Sequence, residues 1–231
     1  MKRLYFFTSI LFVSAIILMA GWLPVSAENI QQIAVSSDEP NSGFSVFLPA
    51  LVNGTSSAEK NPPAETDPFD LFVNSVTNGV SDQLVGVYVE DVLAMPVVQQ
   101  PAGNAGYISS APNTITQFAA ATNFGTTGLL AHNTHAGAKF YDLEIGQEVD
   151  IILGDGSTKA YRIESIRQFQ ALEPTSPYSD FIDLETNERL TATQLFYQVY
   201  TGEHHLTFQT CLEKDGNYSW GRTFVIATPI Y

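Results

Sequence analysis

Cys211 is the lone cysteine in a chain of 231 residues. A cysteine thiolate is a strong nucleophile toward carbonyl carbon, and its reactivity depends on a nearby base or cation. The residues leading to it read as a strand, Leu206-Thr207-Phe208-Gln209-Thr210-Cys211, in which side chains alternate between two faces. Leu206 and Phe208 take the core face, whereas Thr207, Gln209 and Cys211 take the other. That pattern puts the thiol off the core at the end of its strand and disfavours an inert, core-buried cysteine.

Two further residue types complete the chemistry that a thiol needs. Arg222 opens the next apolar run, Arg222 to Pro229, after a polar stretch of ten residues, Leu212 to Gly221, that reads as a loop. If the two strands pair as a hairpin, Cys211 and Arg222 face each other where the loop leaves the sheet. A guanidinium there favours the thiolate or binds an oxyanion as it develops. The base must come from His132, His135, His204 or His205. His204 and His205 begin the cysteine's own strand, roughly 20 Å back along an extended chain. His132 ends the apolar run Thr127-Gly128-Leu129-Leu130-Ala131, where a side chain is held firmly yet reaches solvent, and is the best candidate; His135, inside the following loop, is second. A competing chemistry is zinc binding by His132, His135 and Cys211. Ligands three residues apart suit a helix, however, and Asn133-Thr134 with Ala136-Gly137 reads as loop.

These residues must be positioned by a fold assembled from short strands. From about Asp82, Leu84 to Val89 and Met95 to Val98 read as strands, and so do Glu148 to Leu153 and Lys159 to Gln168 around the hairpin signal Gly154-Asp155-Gly156. Thr114 to Thr122 suits a short helix capped by Asn113 or Thr114, and Thr191 to Tyr200 a second one. Many short strands with little helix imply a mostly β barrel or sandwich.

The remainder of the chain bounds where this chemistry operates. Hydrophobic residues at 45% against 15% charged residues indicate a globular body. Lys2 and Arg3 precede an apolar run from Leu4 to Leu23, and Val25-Ser26-Ala27 fits a small-residue cleavage site. Residues 1–27 are therefore expected to be a signal peptide or membrane anchor, so that the protein is exported and, if the leader is retained, membrane-associated through 4–23. Residues 28–81, rich in Pro, Ser and acids and carrying an apolar patch from Phe44 to Val52, read as a flexible tether, and 82–231 as the catalytic domain. An exported chain usually uses cysteines in pairs, so a lone one suggests a reactive thiol. The net charge of −14 makes nucleic acid an improbable partner.

The order and spacing of these residues resemble the sortase family of cysteine transpeptidases. Thr207-Phe208-Gln209-Thr210-Cys211 resembles the sortase signature Thr-Leu-x-Thr-Cys, with Phe208 in place of Leu. Leu129-Leu130-Ala131-His132-Asn133 resembles the strand ending in the family's Gly-His pair, with Ala131 in place of Gly. Phe140-Tyr141-Asp142-Leu143 and Gly146-Gln147-Glu148-Val149 are similar to the stretch that follows that histidine, and Arg222-Thr223-Phe224-Val225 to the strand carrying the family's arginine. The resemblance covers Asp82 to Tyr231. It implies a closed, mostly antiparallel sortase-type β barrel with a few short helices. It further implies Cys211 as nucleophile, His132 as acid/base partner and Arg222 as oxyanion-side cation. The implied partners are a sorting-signal peptide and an amine acceptor, such as a peptidoglycan cross-bridge or a pilin lysine. No cofactor is required; some family members use calcium, but no calcium site is assignable among these acids. The alternative, from a different functional class, is a non-catalytic sortase-like extracellular domain that binds peptide or cell-wall material.

Overall fold

In the computed structural model, which describes residues 67–231, the chain opens with a helix, α1 (Pro68–Val76), followed by three strands, β1 (Leu84–Val89), β2 (Leu93–Gln99) and β3 (Ile115–Phe118). One turn of helix, α2 (Ala119–Thr122), leads to β4 (Thr127–Leu130) and a 3-10 helix (Ala136–Asp142). Then come β5 (Glu148–Leu153), β6 (Thr158–Ala171), β7 (Phe181–Asp183), β8 (Arg189–Leu190), α3 (Ala192–Tyr200), β9 (Leu206–Lys214) and β10 (Asn217–Pro229). Neighbouring strands run in the order β10-β9-β4-β3-β2-β1-β5-β6, and β6 pairs back onto β10. Eight strands thus close into a barrel, with β7 and β8 extending from β6 outside the ring. The mostly-β, closed-barrel expectation holds. Most neighbours are antiparallel; β2 with β3 and β4 with β9 are parallel. The second parallel pair decides the site, because it joins segments that are far apart in sequence.

Alternation along the strands fills the barrel. Val87, Ile115, Leu129, Val149, Tyr161, Leu206 and Phe208 are all fully buried in one cluster. Each large side chain so buried contributes about 1.5–3 kcal/mol relative to exposure. A second cluster lies on the outer face of β6 and β10: Phe169, Phe181, Leu195, Val199, Tyr200 and Phe224. It exists because α3 lies across that face, started by a capping box in which Thr191 and Gln194 satisfy each other's backbone amides.

Three expectations are corrected. The segment Thr114 to Thr122 is not a helix throughout. Its β-branched first half is β3, hydrogen-bonded on both sides, and only Ala119–Thr122 is helical; Asn113 has a positive φ of 51° and makes a turn rather than a cap. The C-terminal part of the expected 28–81 tether is α1. Pro68 begins that helix instead of breaking structure, and the Asp67 side chain accepts from the Phe69 amide at 2.9 Å. Phe69 and Phe72 lie against Tyr88, with ring centroids 5.0 and 6.1 Å apart. Finally, Leu212 to Gly221 is not a loop. β9 and β10 continue through it to a two-residue turn, Asp215-Gly216, both with positive φ. Polar side chains on both faces hid this pairing from any alternation test. The expected leader at 1–27, the Phe44 to Val52 patch and membrane association through 4–23 lie outside the described residues. No described helix is long and apolar enough to cross a membrane.

Candidate active site

The outer face of β9 is covered along most of its length. The Thr207 hydroxyl donates to the Val199 carbonyl at 2.8 Å, and Gln209 accepts from the buried Tyr200 hydroxyl, so both sit under α3. Burial pushes the Tyr200 phenol well above its ordinary range, which keeps it a neutral donor. Cys211, two residues on along this face, is half-buried.

On one side of Cys211 runs β10. The antiparallel register pairs Cys211 with Arg222, and Thr210 with Thr223. Directly opposite residues share a face, so Arg222 lies on the same outer surface as the thiol. Its Nη1 donates to the carbonyls of Gly221 at 2.7 Å and Ser219 at 3.2 Å, which anchors the guanidinium to the irregular stretch between Asn217 and Gly221. The other three described arginines are each paired with a carboxylate: Arg162 with Glu148, Arg167 with Asp183 and Arg189 with Asp180. No described carboxylate pairs with Arg222.

On the other side runs β4, parallel. Leu129 pairs with Phe208 and Leu130 with Gln209, and the Thr210 hydroxyl donates to the Ala131 carbonyl at 2.9 Å. Continued past Ala131, this offset would bring His132 level with Cys211. The histidine is half-buried, and its ring centroid lies 6.0 Å from that of His135. Burial lowers the His132 imidazole below its ordinary value, and the neighbouring His135 lowers it further, against an opposing bond at the Ile108 backbone. A neutral imidazole can accept a thiol proton.

The turn after His132 is tight. The amides of His135 and Gly137 both donate to the His132 carbonyl, at 2.9 and 3.0 Å. A Cβ on Gly137 would lie 2.8 Å from the carbonyl oxygens of Ala131 and His132 and would strike the Thr210 hydroxyl. Only glycine fits there. The chain continues into the 3-10 helix, whose Phe140 is buried edge-on against Phe208, centroids 5.0 Å apart.

The remaining histidines are occupied elsewhere. His204 bridges the Tyr161 hydroxyl at 2.8 Å and the Gly125 carbonyl at 2.7 Å, and His205 sits between the carbonyls of Glu203 and Val199. Among the described residues no group of three or more His, Cys, Asp or Glu is placed to hold a metal ion. Sequence reading passed over two residues at this site, Tyr141 and Asn133. The Tyr141 hydroxyl donates to the Cys211 carbonyl, and the Asn133 amide donates to the Tyr218 carbonyl at 2.9 Å. Burial raises the Tyr141 phenol, opposed by a hydrogen bond from the Asn133 side chain. Neither residue carries a sequence signal for this, since the partners are 70 and 85 positions away.

No protein-family model matches the sequence, and no curated protein matches it. Solved structures do. The chain is similar to Streptococcus agalactiae sortase C1 in complex with MTSET, at 16% identity over 68% of this chain and 70% of that one, with a TM-score of 0.41. It is similar to a Clostridium perfringens sortase D5 transpeptidase, at 16% identity over 71% and 87% of the two chains, TM-score 0.41. It is also similar to Listeria monocytogenes sortase A, at 12% identity over 64% and 88%, TM-score 0.39.

Proposed function

We propose that this protein is a sortase-type cysteine transpeptidase acting outside the cytoplasm. The observation that carries the reading is the pairing of Arg222 with Cys211 across β9–β10; the parallel β4–β9 register, which runs on into His132, supports it. In this reading the Cys211 thiolate attacks the threonine carbonyl of a sorting-signal peptide. His132 protonates the departing amine as the C–N bond breaks, leaving a thioester. An amine, from a peptidoglycan cross-bridge or a pilin lysine, then attacks the thioester, gives its proton to His132 and releases the thiolate. Arg222 stabilises the oxyanion of both tetrahedral intermediates.

The test is a fluorogenic sorting-peptide assay with an amine acceptor, run on the full chain alongside labelling of Cys211 with a thiol reagent. Cys211→Ala is expected to abolish acyl transfer with an unchanged melting temperature. Undiminished transfer in that variant, or a wild-type Cys211 that resists labelling in the folded state, refutes the proposal.

A further inference from the structure

Cys211 has its backbone held as well as its side chain flanked. The segment that follows His132 doubles back as the 3-10 helix, with Phe140 locked against Phe208 beneath it. The next residue, Tyr141, reaches across and donates its hydroxyl to the carbonyl of Cys211 itself. From the same segment, Asn133, adjacent to His132, donates to the carbonyl of Tyr218, on the strand that bears Arg222. One short stretch therefore carries the base and grips the backbones of both other strands of the site. Tyr141 is 43% exposed, and its hydroxyl's bond to the Cys211 carbonyl ties the two segments together.

We propose that Tyr141 is a positioning residue for the proposed acyl transfer: its hydroxyl fixes the Cys211 backbone relative to His132 and so sets the thiol–imidazole separation. The inference rests on the transpeptidase reading given above. The physical requirement is strict, since a misplacement of about 1 Å can cost on the order of 10²-fold in rate. The β4–β9 ladder ends at Leu130 and Gln209, with only the Ala131 and Thr210 bonds beyond it, so the register alone does not clamp position 211. Tyr141 supplies the missing tie from the histidine's own segment. It touches no reacting atom and acts through Cys211.

The discriminating experiment is a double-mutant cycle on the full chain, with Tyr141→Phe and His132→Ala singly and together. It reads the rate of Cys211 alkylation by iodoacetamide near neutral pH, with a melting curve for each variant. Tyr141→Phe keeps the ring and loses only the hydroxyl. It is expected to slow alkylation roughly 10-fold or more when His132 is present and less than about 2-fold when His132 is absent, because the hydroxyl acts by aligning the pair. Equal slowing in both backgrounds identifies a general structural role and overturns the proposal. So does an unchanged rate in Tyr141→Phe. Wild-type alkylation that is itself indifferent to His132→Ala would instead sink the transpeptidase reading, and is thereby distinguishable. If Tyr141→Phe lowers the melting temperature enough to confuse the rates, Asn133→Ala provides the second arm. It loosens the same segment through Tyr218 and is expected to show the same dependence on His132; independence from His132 counts against the proposal.

Discussion

Arg222→Lys separates catalysis from structure more cleanly than any other change at this site. The guanidinium makes two backbone hydrogen bonds through Nη1 and pairs with no described carboxylate, so its structural contribution is that of two partly exposed charge-assisted bonds. A lysine keeps the charge and can restore one of them, so the structural loss is expected to stay within about 1 kcal/mol. The catalytic loss is larger. With Nη1 committed to Ser219 and Gly221, the rest of the planar fork remains for an oxyanion forming at Cys211, directly across the pair. An ammonium lacks that fork. Removing one such donor costs about 3–4 kcal/mol, or roughly 10²- to 10³-fold in kcat. The loss should fall on kcat with little change in KM, because the oxyanion exists only along the reaction path. Steady-state kinetics of Arg222→Lys and Arg222→Ala on a sorting peptide, with melting curves, decide the matter. If both variants turn over within about threefold of wild type while melting normally, Arg222 is an anchor for the β10 irregularity and the oxyanion argument fails.

Further outcomes follow from the same geometry. Gly137→Ala forces a methyl against two backbone oxygens and the Thr210 hydroxyl, so it should destabilise by about 2–5 kcal/mol, read as a lower urea midpoint. For His132, folding lowers the pKa below the ordinary 6.5. The unfolded chain then binds more protons below that value, so stability is full above about pH 6.5 and declines as pH falls through 6.5 toward the folded value. His132→Gln should flatten that part of the acid-side loss, measured as urea midpoints at about pH 5 and about pH 7. Burial alone would raise the Asp183 carboxyl, but bonds from the Glu185 amide, Arg167 and the Thr186 amide outweigh it and hold the pKa below the ordinary value, so its stabilisation is present above about pH 4 and lost below. Asp183→Ala should cost roughly 2–4 kcal/mol at neutral pH by leaving Arg167 and two amides without their acceptor.

The sequence by itself determined the local quantities. Alternation in Leu206 to Cys211 assigned the thiol to the outer face, and the β-branched and aromatic runs specified most strands and a mostly-β class, barrel or sandwich. The Gly154-Asp155-Gly156 hairpin was legible because turn residues carry their own conformational preference. The pairing of Cys211 with Arg222 was legible too, because an antiparallel hairpin is a local object. Where polarity obscured the period, at Leu212 to Gly221, or where a composition rich in Pro, Ser and acids was read as tether up to residue 81, local signals misled. Only the tertiary structure decided the rest. Parallel pairing of β4 with β9 joins segments 79 residues apart and needs a crossover, and no periodicity within either strand specifies its partner or its register. The cover of α3 over Thr207 and Gln209 depends on how a helix outside the strand lies across the sheet. The same holds for the Tyr141 bond to the Cys211 carbonyl. A backbone acceptor has no sequence identity, so which side chain reaches it is fixed only when the chain has folded.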